Sequence, residues 1–348
     1  MKVGAIAESL MERIALFANL APRPLIETQI AFTTARAIMA AAELGIFDSL
    51  GAGEKSAEEV AGSCHTDRKA TKHLLDCLVG VGYARFQHGK YGIIAGHRKW
   101  LLRDSPTSVT AKLSFQLMEW DLVGQLEEFV RTGKSLDLHA KMSPEQWRIY
   151  QDGMRSIASG RAAELARRLS VSPGATRLLD IGGSHGLYSI ELCRLHPALT
   201  STIMELPGAI DRASEIAARE GLGDRVKFRV GDALTEELGD ANFDVVMINN
   251  LVHHFSPEQN AALAKRVARA LAPGGVYLIS DFLRASSPGM GGGVPAVMDL
   301  YFALTSASGT WSLEEISGWQ RDAGLHPMKP ILLQSTPGWA SLPAQRPN

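Results

Sequence analysis

Two histidines stand side by side in NNLVHHFSPE, residues 249–258, directly after an apolar run. An imidazole titrates near neutrality and can take or give a proton where few other side chains can. His253 and His254 therefore have three readings: a proton-transfer site, a metal site, or one core histidine beside one solvated one. A zinc site needs further ligands at set spacing, yet no H-x-x-x-H pattern or cysteine pair accompanies the two. No metal is expected. Successive residues near a strand end point in different directions, so at most one of the pair faces a common site.

A second set of chemistry-bearing residues lies upstream. RLLDIGGSHGLYSIEL reads as a strand, a glycine turn and a helix. Gly182 and Gly183 let backbone come close to a ligand, and Gly186 permits close helix packing. The dinucleotide fingerprint G-x-G-x-x-G fails, because Ser184 and Leu187 occupy two of its positions, and no P-loop lysine follows. Asp180 puts a carboxylate at the strand end, which would repel a pyrophosphate but suits a cationic amino group. Glu205 in IMELP is placed to accept two ribose hydroxyls. Asp232 in RVGDAL can meet an adenine edge. A nucleoside carrying an amino acid in place of phosphates fits this set, which is S-adenosylmethionine. Each acid alone reads equally as a helix cap or solvated turn; three at successive strand ends weaken that reading.

The elements that must position these residues are legible as texture. From residue 176, the runs RLLDIGG, TSTIME, VKFRVGD, FDVVMINN and VYLISDF are strand-length, with helical stretches between them. Such strands imply a parallel sheet covered on both faces, with ligands at the carboxyl ends. Asp180, Glu205, Asp232, Asn249 and Asp281 stand where the runs stop. Residues 109–170 read as helical, and Ser143-Pro144 opens the longest helix as N-cap and first position. The glycines of ASSPGMGGGVP, residues 285–295, suit a mobile loop. MDLYFAL and SGTWSLEE suggest a small apolar pocket, with Met298, Phe302 and Trp311 as its walls or as core.

Residues 1–108 have a different texture. TQIAFTTARAIMAAAELGIFDSL spaces its apolar residues as one helix ending at Gly51, and SAEEVAGSC opens another with a capping box. DRKATKHLLDCLVGVGY is a third helix, and RFQHGKYGII reads as two strands around Gly89. Three helices and a hairpin make a winged helix, which first suggests DNA. Residues 43–99 hold eight Lys/Arg and seven Asp/Glu, a balance of 8 − 7 = +1. That is a weak phosphate footprint, so a docking or dimerisation domain is favoured.

Composition bounds the rest. The 348 residues carry a formal net charge of −1 and 45% apolar residues, which directs nothing toward nucleic acid or an anionic membrane. Glu8 and Glu12 interrupt what would be a signal peptide's apolar core, and no membrane-length apolar run is present. The three cysteines, Cys64, Cys77 and Cys193, are scattered and do not form a disulfide framework. A soluble cytoplasmic protein is expected.

In order and spacing, LLDIGGSHG, IMELP, VGDAL and VHHFSPE resemble the S-adenosylmethionine-dependent O-methyltransferases of the plant caffeate type and their bacterial natural-product relatives. The resemblance covers nearly the whole chain. It implies an α/β fold: a class I methyltransferase Rossmann-like sheet behind an N-terminal winged-helix dimerisation domain, residues 1–108. Residues 109–348 would be the O-methyltransferase domain, with 109–170 a helical linker lining the pocket and 171–348 the cofactor-binding core. Gly182 and the adjacent turn would hold the cofactor's methionine portion and Glu205, an Asp in most of the family, its ribose. Asp232 and Ala233 would contact adenine, helped by the backbone near Asn249. WRIYQDGM resembles the family's substrate-bordering helix, which nominates Tyr150 and Met154, and Ile157 lies one turn on. The motif aligns His253 with the family's catalytic base, leaving His254 structural or pocket-lining. Asp281 and Glu315 match the two flanking acids, although Glu315 reads nearly as well as a helix first-turn acid.

The resemblance implies a small aromatic hydroxyl substrate and a homodimer in which the partner's N-terminal segment helps close the pocket. The apolar surplus of IAFTTARAIMAAAELGIF points to the same dimer, since contiguous exposed apolar surface marks interfaces. Two rival functions stand beside methyl transfer. A family member can keep the cofactor and perform hydroxylation, decarboxylation or a pericyclic reaction. A winged-helix regulator could use the sheet only to sense a ligand, which the charge balance opposes.

Overall fold

Gly45 breaks what the sequence reads as one long helix. It sits in the left-handed region at φ 72°, which a glycine adopts without a Cβ clash. The computed structural model describes residues 4–290, 292–306, 308–336 and 338–348. Its chain divides into two units, Met1–Glu119 and Trp120–Asn348.

The first unit has helices α1 (Leu10–Phe17), α2 (Ala31–Glu43), α3 (Ile46–Gly51), α4 (Ala57–Cys64) and α5 (Arg68–Gly80). Strands β1 (Ala84–Gln87) and β2 (Lys90–Ile93) then pair as an antiparallel hairpin, followed by α6 (Ala95–Leu101). Ser56 caps α4 and Glu59 bonds back to the cap backbone, the capping box expected there. Phe47, Leu50, Leu75, Leu78 and Tyr91 form a core of their own. Leu10, Ile14, Phe17, Leu25, Ile30 and Phe32 remain exposed.

The second unit begins within α7 (Thr110–Val123) and continues through α8 (Leu126–Thr132) to α9 (Pro144–Arg168). Ser143 caps α9 in a second capping box with Pro144 at the first position. The chain then alternates: β3 (Arg177–Ile181), α10 (Leu187–Leu195), β4 (Thr200–Glu205), α11 (Pro207–Arg219), β5 (Val226–Val230), β6 (Phe243–Asn249), α12 (Pro257–Ala270) and β7 (Leu271–Phe282). It ends with α13 (Gly293–Thr305), α14 (Leu313–Asp322), β8 (His326–Pro327), β9 (Ile331–Leu332) and β10 (Trp339–Gln345).

The sheet order is β5-β4-β3-β6-β7-β10-β8, with β9 paired to β10. Strands β3 to β7 are parallel, as the near-continuous apolar runs require, and β10 adds an antiparallel edge against β7. No strand is evident in WASLPAQ from sequence because Pro343 lacks the N–H that a ladder uses. Alternation splits the core. Leu178, Val245, Met247 and Leu278 face α9, α10 and α11, whereas Leu179, Val246, Tyr277 and Ile279 face α12 and α14. Strand order reverses between β3 and β6, so the crevice at their carboxyl ends is the topological switch point. Helix α13 starts at Gly293, inside the stretch expected to be a loop; residue 291 of that stretch lies outside the described residues.

Candidate active site

At that switch point lies a cavity of about 350 Å³, walled by α9, the turn after β3 and the ends of β4, β5 and β6. The turn gives one wall its donors. Gly182 N–H donates to the Met204 carbonyl at 2.8 Å, and Ser184 N–H donates to Glu205 Oε2 at 3.0 Å. Leu206 N–H donates to the other Glu205 oxygen at 2.8 Å. The carboxylate, 8% exposed, is thus clamped at the end of β4 with a lone pair left on each oxygen. Burial raises its pKa and the two backbone donors oppose that.

Gly182, Gly183, Glu205, Asp232, Ala233 and Asn249 all reach the cavity. Asp232 Oδ1 accepts from Leu234 N–H at 2.8 Å, which shapes the turn after β5. Asn249 is buried, and neither its amide oxygen nor its nitrogen has a protein partner among the described residues.

Asp180 is the exception and corrects the sequence expectation. It shares the Leu178 side of β3, so its carboxyl goes down beneath α10 and away from the cavity. There it is 0% exposed and accepts from Ser189 Oγ at 2.8 Å, which in turn meets Ser201 Oγ at 2.8 Å. A Cβ at residue 183 would fall 2.5 Å from Asp180 Cγ, so the glycine there accommodates the buried acid. Burial, with the Glu205 charge adding, pushes Asp180 up to about 7. It braces the turn and is not placed to bind a cationic amino group.

Helix α9 supplies the opposite wall. Tyr150, Met154 and Ile157 line the cavity, and so do Trp147 and Arg161. These positions, spaced 3, 4, 3 and 4 apart, form one helix face. Arg161 is absent from the sequence expectation because a lone arginine in SGRAAEL reads as solvated; extending the nominated face by one turn would have found it. It is buried, makes no ion pair among the described residues, and lies over the Trp339 ring at 5.4 Å. Beside it His185 accepts from Leu187 N–H at 3.1 Å, and burial with the Arg155 and Arg161 charges pushes it down to about 3.

The imidazole pair resolves as two different environments. His253 and His254 end the short turn Val252–His254 after β6. His253 is 2% exposed, and its Nδ1 lies 2.9 and 2.8 Å from the two oxygens of Asp281 on β7. Phe282 N–H donates to one of those oxygens at 2.8 Å, fixing the carboxylate. His253 does not itself line the cavity; His254, with its ring 4.3 Å away, does.

Of the three residues expected to wall the pocket, none lines the cavity, and two serve this turn instead. Phe302 stacks on the His253 ring at 3.8 Å between centroids. Trp311 Nε1 donates to the Val252 carbonyl at 2.9 Å. Met298 is half-buried on α13 and does not reach the cavity. Glu315 also lies apart from His253. Both its oxygens engage Arg284, at 2.6 and 2.7 Å, and Oε2 accepts from Ser312 N–H in the capping box of α14. It is the first-turn helix acid.

Comparison with known proteins agrees with this geometry. Residues 178–275 match a methyltransferase domain, and residues 26–92 match an O-methyltransferase dimerisation domain. The chain is 27% identical to a 3-hydroxy-5-methyl-1-naphthoate 3-O-methyltransferase of Streptomyces sahachiroi, over 86% of this chain and 88% of that one. It is 26% identical to the tetracenomycin polyketide synthesis 8-O-methyl transferase TcmO of Streptomyces glaucescens, over 87% and 91%. The matched domains and the curated relatives support an S-adenosylmethionine-dependent O-methyltransferase. Human N-acetylserotonin methyltransferase in complex with S-adenosylmethionine shares the fold, with a TM-score of 0.80 at 18% identity over 99% of this chain and 100% of that one. S-adenosylmethionine is the cofactor of this O-methyltransferase. The chain forms the expected Rossmann-like α/β sheet, with a helical dimerisation domain N-terminal to it in sequence. No described helix of the enzyme is long and apolar enough to cross a membrane.

Proposed function

We propose that the enzyme methylates a hydroxyl of a small aromatic molecule, phenolic or polyketide-like, with His253 as general base and Asp281 as its orienting carboxylate. The observation that carries this reading is the buried His253–Asp281 pair, adjoining the cavity through His254. The naphthoate and polyketide O-methyltransferases among its relatives support the acceptor class.

When bound, S-adenosylmethionine supplies an electrophilic methyl group on a sulfonium and leaves as S-adenosylhomocysteine. A phenol ionises only near pH 10, so its O–H bond must break as the O–CH3 bond forms. Asp281 occupies Nδ1 of His253, which leaves Nε2 to accept that proton, and the resulting imidazolium is stabilised by the same carboxylate.

The cavity's polar groups fit the cofactor. Glu205 would accept the ribose hydroxyls through its spare lone pairs, and Asp232 with Ala233 would border adenine. Arg161 would pair with the methionyl carboxylate, and the Asn249 amide, now without a protein partner, would accept from the ammonium. The test is incubation with methyl-labelled S-adenosylmethionine and a panel of phenols. Labelled ether together with S-adenosylhomocysteine is the expected result. Consumption of the cofactor without label in any product would overturn the reading.

We also propose that the exposed apolar residues of the first unit are covered in a homodimer. Light scattering at micromolar concentration should give twice the chain mass, and a monomer would refute it.

A further inference from the structure

We propose that His254, backed by His139, is the specificity-determining residue of the acceptor site. It would read a second oxygen on the substrate, carried by the carbon next to the one bearing the accepting hydroxyl. This rests on the function proposed above. His139, on the turn Leu138–Lys141, and His254 both line the cavity, whereas His253 stands behind. The two cavity-facing rings meet edge to face at 4.8 Å and 76°, a packing contact that leaves their nitrogens unspent. Among the described residues neither ring nitrogen of either histidine makes a hydrogen bond. Trp147 stacks on His139 at 5.5 Å and Tyr150 meets it edge-on at 4.9 Å, so the imidazole is held in place by its neighbours.

Charge state completes the argument. Burial, with the His253 charge adding, pushes His139 down to about 4; burial and both neighbouring imidazoles hold His254 well below its ordinary value. A neutral imidazole offers one donor and one acceptor, so each ring can meet a hydroxyl or a carbonyl without a counter-ion. His254 lies 4.3 Å, ring to ring, from His253. An acceptor hydroxyl placed at His253 Nε2 therefore brings its ortho substituent toward His254. A site with buried polar groups rejects a ligand that leaves them unpaired, which makes the neighbouring oxygen a selected feature.

The test compares 2,3-dihydroxynaphthalene with 2-naphthol, measuring kcat and KM for both with the wild type, His254→Phe, His254→Gln and His139→Phe. The wild type should favour the diol by about tenfold in kcat/KM, mainly through KM. That ratio should fall toward unity in His254→Phe and stay intermediate in His254→Gln, which keeps a donor and an acceptor. Should His254→Phe fail to fold by circular dichroism, the ratios in His254→Gln and His139→Phe decide. An unchanged ratio in the folded variants, or no diol preference in the wild type, overturns this inference and leaves the proposed function standing. A wild type that methylates neither compound while binding S-adenosylhomocysteine refutes the proposed function, and this inference falls with it.

Discussion

The two ends of the cavity are built differently. At the end proposed for the cofactor, polar side chains sit on strand termini: Glu205 is clamped by the backbone N–H groups of Ser184 and Leu206, and Asp232 accepts from that of Leu234. At the acceptor end, imidazoles from residues 139, 253 and 254 are held by aromatic rings and one carboxylate drawn from distant segments. The first design binds by local geometry. The second holds the His139 and His254 imidazoles neutral by burial, and so its failures should appear in rate and pH dependence before they appear in cofactor affinity.

The largest expected effect separates the two ends outright. His253→Asn should lower turnover by at least about 100-fold, the low end of general-base catalysis, while S-adenosylhomocysteine affinity measured by calorimetry stays within a few-fold. If His254→Asn were the inactive variant and His253→Asn the active one, the base has been placed on the wrong ring. If both stayed active on a phenol, proximity to the sulfonium carries the reaction instead.

The converse experiment acts on affinity. Glu205→Ala removes the proposed acceptor of the two ribose hydroxyls and should weaken S-adenosylhomocysteine binding by about 1.5 to 3 kcal/mol, roughly ten- to a hundredfold. Arg161→Met should weaken it by about tenfold and leave adenosine binding unchanged, because adenosine has no carboxylate to pair. Equal losses for both ligands would remove Arg161 from the methionyl end.

A smaller effect concerns stability, and the two ends carry opposite signs. His139, lowered to about 4 in the fold against about 6.5 unfolded, contributes stability above pH 6.5 that is lost as pH falls through 4. Asp180 is raised to about 7 in the fold, so its contribution is full below about pH 4 and is lost as pH rises through 7. Thermal melts from pH 4 to 8 should show His139→Phe flattening the acidic side and Asp180→Asn flattening the neutral side. A parallel vertical shift for either variant would mean that its titration is not coupled to folding.

The smallest effect is expected at Glu315. Its oxygens are committed to Arg284 and Ser312, so Glu315→Gln should cost little stability and leave turnover within a few-fold. A large loss of rate with intact melting would put this acid back beside the base during turnover.

Much of the cavity's polar lining was legible in the chain. Strand-length apolar runs ending in polar residues locate Glu205, Asp232 and Asn249, because a parallel sheet collects its ligands at those ends. Asp180 misled by the same rule. The two-residue period of its strand turns it under α10 with Leu178, and only packing shows that this face is closed there. Arg161 was hidden by its charge, since a lone arginine in a helix usually means solvent; the face shared by Tyr150, Met154 and Ile157 was the signal that could have found it.

What the sequence determined alone is what local patterns control: the alternation of strands and helices, the capping box that starts α4, the Ser143 cap of α9, and the turn that fails the dinucleotide fingerprint. Tertiary structure decided which imidazole meets Asp281 and which faces the cavity. His253 and His254 are chemically identical neighbours in the chain. One is 2% exposed with a carboxylate at 2.8 Å, and the other faces His139 across the cavity wall. Asp281 lies 28 residues beyond His253 and His139 lies more than a hundred before His254, so both contacts are made by the fold and no local pattern encodes them.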